Sequence, residues 1–282
     1  MQSDCDDVRI TDVNGKVLPF WIETGTNACN TTTTAIWTKV PSISTSGTTV
    51  YLYYGNPSAI NTQNGNNVFE FFDDFSGSTV DTNKWTTYVN GGSVSLSAGN
   101  LQITGNNTWN TNGISSNTSY NRSSSGYSIY WSVKLSATAI NTMIGYSPKI
   151  LNYSDGISHY PASGAWYRWR DNVGLNLSAP FSADTWYITK TKLKSSQGYI
   201  LYRNGTQLED DTTLADNNHY ISMQQYETGK TSYFDFAFVC KSASSEPTVA
   251  TPTNEEKSQG PVAYWKFDAG YSTVAFDAMR GN

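Results

Sequence analysis

The amino-acid sequence predicts an all-β fold, two antiparallel sheets packed face to face. Apolar residues recur with period two over most of the chain. Tyr127, Ile129, Trp131, Val133 and Leu135 alternate with Ser128, Tyr130, Ser132 and Lys134, as in a strand with one buried face. No stretch sustains a helical period, so any helix is a short turn. Strand patterns follow one another at short spacing with Gly, Asn and Ser between them, which suits a sandwich or barrel.

Taken in order, the elements read as follows. Val8-Arg9-Ile10 opens a strand pattern almost at the start. Thr48 to Tyr54 is β-branched and aromatic, and Gly55-Asn56-Pro57 stops it. Ser58 to Asn67 is a polar joint. Asn204-Gly205, between Tyr199–Arg203 and Thr206-Gln207-Leu208, is a strong hairpin signal because both turn residues tolerate positive φ. Phe234, Phe236 and Phe238 alternate with Asp235 and Ala237, and Cys240 continues the apolar row. Ser244 to Gln259 contains Glu246-Pro247 and Thr251-Pro252-Thr253 and reads as an extended linker. The expected domains are 1–60, 66–243 and 260–282, joined by the linker 244–259. The second is the one long enough for a substantial core.

Composition narrows the function classes. Of 282 residues 15% are charged and 14% aromatic, with a net charge of −5. Soluble domains average about 25% charged residues, so hydroxyls and amides make this surface. The aromatic content argues against disorder. No apolar run is long enough for a membrane span, so no membrane insertion is expected of this chain. The acidic balance argues against nucleic acid as a partner. The start lacks a signal peptide's charged and apolar regions, and the far end stops within a strand pattern. The chain therefore reads as a fragment of a longer exported protein, extracellular or at a cell surface.

Cys5 and Cys29 lie in polar loop sequence and are expected to pair. Closing that loop would stabilise the fold by about 3 kcal/mol in the chain-entropy model. Metal binding is the rival role, but no C-x-x-C or paired Cys/His spacing supports it. Cys240, within the phenylalanine alternation, is expected to act as a small hydrophobe.

Three stretches carry family resemblances. Asp4-Cys5-Asp6-Asp7-Val8-Arg9-Ile10-Thr11-Asp12, Leu18 to Glu23, Ile36 to Pro41 and Tyr53-Tyr54-Gly55-Asn56-Pro57 resemble the C-terminal part of a domain of unknown function from prokaryotic surface proteins. Phe72 to Gly77, Val80 to Trp85, Asp184 to Tyr187 and Tyr233 to Val239 resemble concanavalin A-like lectin/glucanase domains, which implies a jelly-roll β-sandwich. Gly260 to Asp268 resembles the opening strand of a laminin G-like repeat.

Glucanases of the resembling family carry carboxylates as Glu-x-Asp-x-x-Glu on one strand. Retaining chemistry needs two carboxyl groups about 5 Å apart. The seven Glu here (23, 70, 209, 227, 246, 255 and 256) never form that spacing, so catalysis is not expected. Glu209-Asp210-Asp211 reads as a solvated turn. His159 and His219 lie outside any Ser or Cys nucleophile pattern and are expected to pack or sit at the surface.

Binding candidates concentrate at 153–172. Aromatic faces suit sugar rings, and planar polar groups suit hydroxyls. In Ala165-Trp166-Tyr167-Arg168-Trp169-Arg170, Trp166, Arg168 and Arg170 share one strand face while Tyr167 and Trp169 share the other. Two Arg do not suit a dry core, so Tyr167 and Trp169 are expected inside. Trp166, Arg168 and Arg170 then line the surface, and Tyr160 in the same segment is a further ligand-binding candidate. Trp109, amid Asn and Thr, is a second candidate. These residues imply a non-catalytic glycan-binding or adhesion module, the alternatives being a structural spacer and a carbohydrate-active enzyme. The glucanase resemblance further implies a structural calcium where the opening and closing strands meet. Asp74 and Asp235 are the favoured ligands. Asp73, in line with Phe69, Phe71 and Phe75, is expected to be held by backbone N–H groups.

Overall fold

The computed structural model describes residues 1–23, 29–120, 126–148, 156–194, 198–212, 218–242 and 247–249. Residues Met1–Ser245 form one compact unit and Glu246–Asn282 a second. The laminin G-like stretch 260–268 and most of the linker 244–259 lie outside the described residues. No helix among the described residues is long and apolar enough to cross a membrane.

The N-terminal segment supplies β1 (Arg9–Asp12), β2 (Val17–Leu18), β3 (Phe20–Ile22), β4 (Ile36–Thr38) and β5 (Val50–Tyr53). A single helical turn, α1 (Gly65–Val68), follows the polar joint. Then come β6 (Phe71–Asp73), β7 (Trp85–Tyr88), β8 (Ser93–Ser97), β9 (Asn100–Thr104), β10 (Gly113–Tyr120), β11 (Tyr127–Leu135), β12 (Thr142–Ser147) and β13 (Ile157–Ala162). The chain continues through β14 (Ala165–Arg170), β15 (Val173–Pro180), β16 (Trp186–Leu193), β17 (Tyr199–Arg203), β18 (Thr206–Asp211), β19 (His219–Gln225) and β20 (Thr231–Lys241).

Strands β6 to β20 build an antiparallel β-sandwich of the concanavalin A-like type. One sheet has seven strands in the order β15-β14-β13-β12-β19-β10-β7. The other has eight, β18-β17-β16-β11-β20-β9-β8, with β6 also on β20. Period two explains the core: alternate residues of both sheets turn inward, and Ile129, Trp131, Ile144, Trp166, Leu201 and Met223 are fully buried there. The predicted Asn204-Gly205 turn joins β17 to β18, with φ of 47° and 77°. Those angles suit the primed turn that matches strand twist.

One β-bulge changes the reading of the closing strand. Ser132 of β11 lies opposite Phe236 but Val133 lies opposite Phe234, so Asp235 is an extra residue. An extra residue flips the alternation. Phe234 joins the core between the sheets, while Phe236 and Phe238 turn to the outer face of the eight-stranded sheet.

That outer face is where the N-terminal segment docks. β3 and β4 pair so that Trp21 lies opposite Trp37. Trp21 meets Phe72, Phe236 and Phe238 edge-on at centroid distances of 5.1, 5.2 and 5.8 Å, and Trp37 meets Tyr130 at 5.1 Å. Half-buried Cys240 packs into the same cluster. The N-terminal segment keeps a small core of its own, including Val8, Ile10, Leu18 and Phe20. Its loop is closed by a Cys5–Cys29 disulfide, with Cα atoms 5.7 Å apart. Buried Asp7 accepts the Gly55 N–H at 2.5 Å and the Gln2 N–H at 2.8 Å. These bonds tie the Tyr-Tyr-Gly-Asn-Pro stretch to the opening loop.

Candidate functional site

The six-residue strand β14 presents the opposite faces to those the sequence suggests. Trp166 is 0% and Arg168 6% exposed, both between the sheets, while Tyr167 and Trp169 face outward and are half-buried. Arg168 is tolerated inside because β18 brings a carboxylate to it. Its Nε lies 3.1 and 3.2 Å from the two Glu209 carboxylate oxygens, and Nη2 donates at 3.1 Å. Tyr199 donates its hydroxyl to the same carboxylate at 3.1 Å. Arg170 pairs with Asp211 at 2.6 Å, and Lys194 with Asp210. Glu209-Asp210-Asp211 is therefore part of a strand rather than a solvated turn, and its Glu209 and Asp211 join the two sheets along one edge. Trp166, Arg168 and Arg170 serve this junction and the core.

The histidines are likewise interior groups. His159 accepts the Trp166 indole N–H at Nδ1 (3.1 Å) and donates from Nε2 to the Lys190 carbonyl (3.3 Å). Burial above all, with nearby Arg203, pushes its pKa down to about 3, so it is neutral. His219 is buried on β19 and stacks on Tyr146 at 4.8 Å.

Outside the sandwich, on the seven-stranded sheet, five half-buried aromatic side chains converge. Tyr160 of β13 is central. Its ring lies 5.9 Å from Trp109, 5.9 Å from Tyr167 and 5.6 Å from Trp169, and Trp109 lies 5.0 Å from Tyr226. Cross-strand register places Tyr160 opposite Tyr167 and Ser158 opposite Trp169, so one sheet face carries the row. Trp109 comes from the loop between β9 and β10. Tyr226 directly follows β19, and its backbone carbonyl binds that loop by accepting the Asn107 N–H at 2.6 Å.

A polar network fixes Tyr160, the centre of the row. Tyr160 donates its hydroxyl to Asn141 Oδ1 at 2.7 Å. Glu227 accepts the Asn141 backbone N–H at 2.7 Å, the Asn141 side-chain amide, and Gln225 Nε2 at 2.8 Å. Burial, then the negative Glu227, pushes the Tyr160 pKa up to about 12, so the phenol stays protonated and a donor. Gln224 Oε1 accepts the Asn110 N–H at 2.8 Å, holding the Trp109 loop to β19. Trp109 and Tyr160 were legible in the sequence. Asn141, Tyr226 and Glu227 were not, since Asn141 and Glu227 meet across 86 positions and no local pattern signals such a pairing.

Asp73, Asp74 and Asp235 lie where β6 joins β20, with Asp73 opposite Ala237. Asp73 accepts the Phe75 N–H at 2.9 Å and the Trp85 indole N–H at 2.7 Å. Asp74 accepts Ser76 N and Oγ at 3.2 and 2.7 Å. Asp73, Asp74, Asp81 and Lys84 help line a cleft of about 490 Å³ that also includes Trp21 and Asn64. Among the described residues no three His, Cys, Asp or Glu side chains gather closely enough to hold a metal ion. Calorimetric titration of metal-free protein is the measurement for the expected calcium.

Comparison with known proteins adds the following. A family described as domain of unknown function DUF2341 matches residues 4–88. That span takes in the N-terminal segment, the joint and the sandwich strands β6 and β7. Among solved structures, a sialidase matches with a TM-score of 0.50 at 13% identity, over 62% of this chain and 18% of its own. The Emp47p carbohydrate recognition domain matches with a TM-score of 0.48 at 9% identity, over 61% of this chain and 94% of its own. A β-1,3-glucanase from Mycobacterium marinum matches with a TM-score of 0.44 at 13% identity, over 61% of this chain and 98% of its own. At such identity the sialidase likeness is one of fold. No curated protein matches in sequence.

Proposed function

We propose that this chain is a non-catalytic glycan-binding module of an extracellular surface protein, and that the ligand lies on the aromatic row of the seven-stranded sheet. The observation that carries the reading is the convergence of Trp109, Tyr160, Tyr167, Trp169 and Tyr226 on one outer face, each half-buried. Large rings left half open at fixed positions offer flat apolar faces for sugar C–H groups. Asn141, Glu227 and Gln225 hold Tyr160, and bonds to Gln224 and Tyr226 hold the Trp109 loop, so little ordering of these two is needed on binding. Glycoside hydrolysis requires two carboxyl groups across the bond. Among the described residues, the network behind the row contains one, Glu227, and it is engaged by Asn141 and Gln225.

The test is a glycan array followed by calorimetry on the best hit. Trp109→Ala and Trp169→Ala are each expected to weaken binding at least tenfold, about 1.4 kcal/mol, with little change in Tm because both side chains are already half open. Absence of any hit, or undiminished binding by both variants, would remove the reading in favour of a spacer. Release of shortened oligosaccharides from a polysaccharide panel would establish an enzyme instead.

A further inference from the structure

A second row of side chains crosses the outer face of the eight-stranded sheet. Register places Trp186 of β16 opposite Lys134 of β11, Lys134 opposite Tyr233 of β20, Tyr233 opposite Gln102 of β9 and Gln102 opposite Ser95 of β8. All five point outward, because chain neighbours such as Tyr187, Val133, Phe234 and Leu101 belong to the core and successive strand residues alternate. Trp186, Lys134, Tyr233 and Gln102 are half-buried, and Ser95 is exposed. The row spans four strand spacings of about 4.8 Å, about 19 Å in all.

Lys134 is the one charged member. Its Nζ lies 5.1 Å from the Trp186 ring centroid and 4.7 Å from that of Tyr233, between two aromatic walls. Ring faces attract a cation, but they carry no net negative charge and displace part of its water. Other cations of the sandwich have carboxylate partners: Arg168 has Glu209, Arg170 has Asp211, Lys194 has Asp210 and Lys241 has Glu70. Among the described residues no carboxylate lies within ion-pair distance of Lys134, neither Asp184 ahead of β16 nor Asp235 in the β20 bulge. Lys190 lies in the same way between Tyr130 and Tyr202, but there Trp37 of the N-terminal segment packs on Tyr130. At Lys134 a half-buried ammonium lacks a counter-ion, which suits a charge-assisted bond to an anion from outside. The positive edges of the flanking rings favour the same charge.

We propose that this row binds an acidic glycan, with a sugar carboxylate on Lys134 Nζ and the C–H groups of the sugars against Trp186 and Tyr233. Gln102 and Ser95 continue the row with groups that donate and accept, as sugar hydroxyls do. More hydroxyls border it: Ser136 Oγ accepts the Thr231 N–H at 2.9 Å, and the Thr104 and Thr231 hydroxyls lie 3.1 Å apart. An acidic peptide suits the face less well. Strands β16, β11, β20 and β9 are each paired on both sides, so no backbone is free for an added strand. The site shares no residue with the aromatic row of the other sheet and does not rest on that row's role.

Calorimetry on the full chain at low ionic strength tests this. The probes are oligogalacturonate, oligomannuronate and sialyllactose, each also in carboxyl-reduced form, and an oligoglutamate peptide. At least one acidic glycan is expected to bind, with its carboxyl-reduced form at least tenfold weaker and with affinity falling as salt is added. Lys134→Met and Trp186→Ala are each expected to weaken that binding at least tenfold, whereas Lys134→Arg, which keeps the charge, stays within about threefold of the wild type. Lys16→Met removes the same charge at an exposed position between β1 and β2 and is expected to bind like the wild type. Circular dichroism confirms the fold of each variant. Failure of every acidic glycan to bind overturns the proposal, as does equal binding by Lys134→Met or by the carboxyl-reduced probe. Tighter binding of the oligoglutamate peptide than of any glycan would assign the row to an acidic protein and equally overturn a glycan as its ligand.

Discussion

His159 shows what burial does to one side chain. Held neutral between Trp166 and the Lys190 carbonyl, it has a pKa pushed down to about 3, whereas an unfolded chain's histidine titrates near 6.5. Between those values the unfolded state binds a proton that the folded state excludes. Stability from this group is thus complete above about pH 6.5 and falls as the pH drops towards 3. Between pH 7 and pH 5 the stability difference between wild type and His159→Gln is expected to move by about 2 kcal/mol against the wild type. Urea titrations at the two pH values measure it. Equal pH dependence in both proteins would mean that His159 is not the neutral interior group described. Tyr160 illustrates the converse, a phenol raised to about 12 by burial and Glu227, which leaves its donor role unchanged through the neutral range.

At the scale of elements, the junction of β14 with β18 decides which face of β14 is inside. Arg168 and Glu209 side chains are 8% and 11% exposed. Removing either partner leaves an unpaired charge in a largely buried site, a loss of about 3–5 kcal/mol. Arg168→Ala and Glu209→Ala are each expected to destabilise in that range. The double variant is expected to cost clearly less than their sum, because the orphaned charge goes with its partner. Denaturant titrations of the four proteins complete the cycle, and strict additivity would show the pair to be uncoupled. A lowered affinity for glycan in Arg168→Ala would therefore report on the sheet junction and not on a binding contact.

For the molecule as a whole, the tryptophan pair of β3 and β4 decides whether the N-terminal segment and the sandwich unfold together. Trp21 is 3% exposed against Phe72, Phe236 and Phe238, and truncating a buried Trp costs about 3–5 kcal/mol. Scanning calorimetry of the wild type is expected to show one cooperative transition for Met1–Ser245. Trp21→Ala is expected to lower that Tm and to split the transition, since the apolar face it covers on β20 is lost to both parts. Two separate transitions in the wild type would show that the interface contributes little.

The sequence by itself determined the strands, because period two and turn residues act locally. It determined the Asn204-Gly205 hairpin for the same reason, and it set Trp109 and Tyr160 apart as aromatic residues in polar surroundings. It could not determine which face of a strand is buried when both faces carry large side chains, as in β14, where either alternate set satisfies the same period. The tertiary structure decided that face by supplying Glu209 and Asp211 from a different sheet. It likewise placed Asp235 in a bulge, which sent Phe234 inward and Phe236 and Phe238 outward although all three belong to one alternation. The aromatic row exists for the same physical reason. Its members come from β13, β14, a loop and the end of β19, and only the packing of distant strands brings them onto one face.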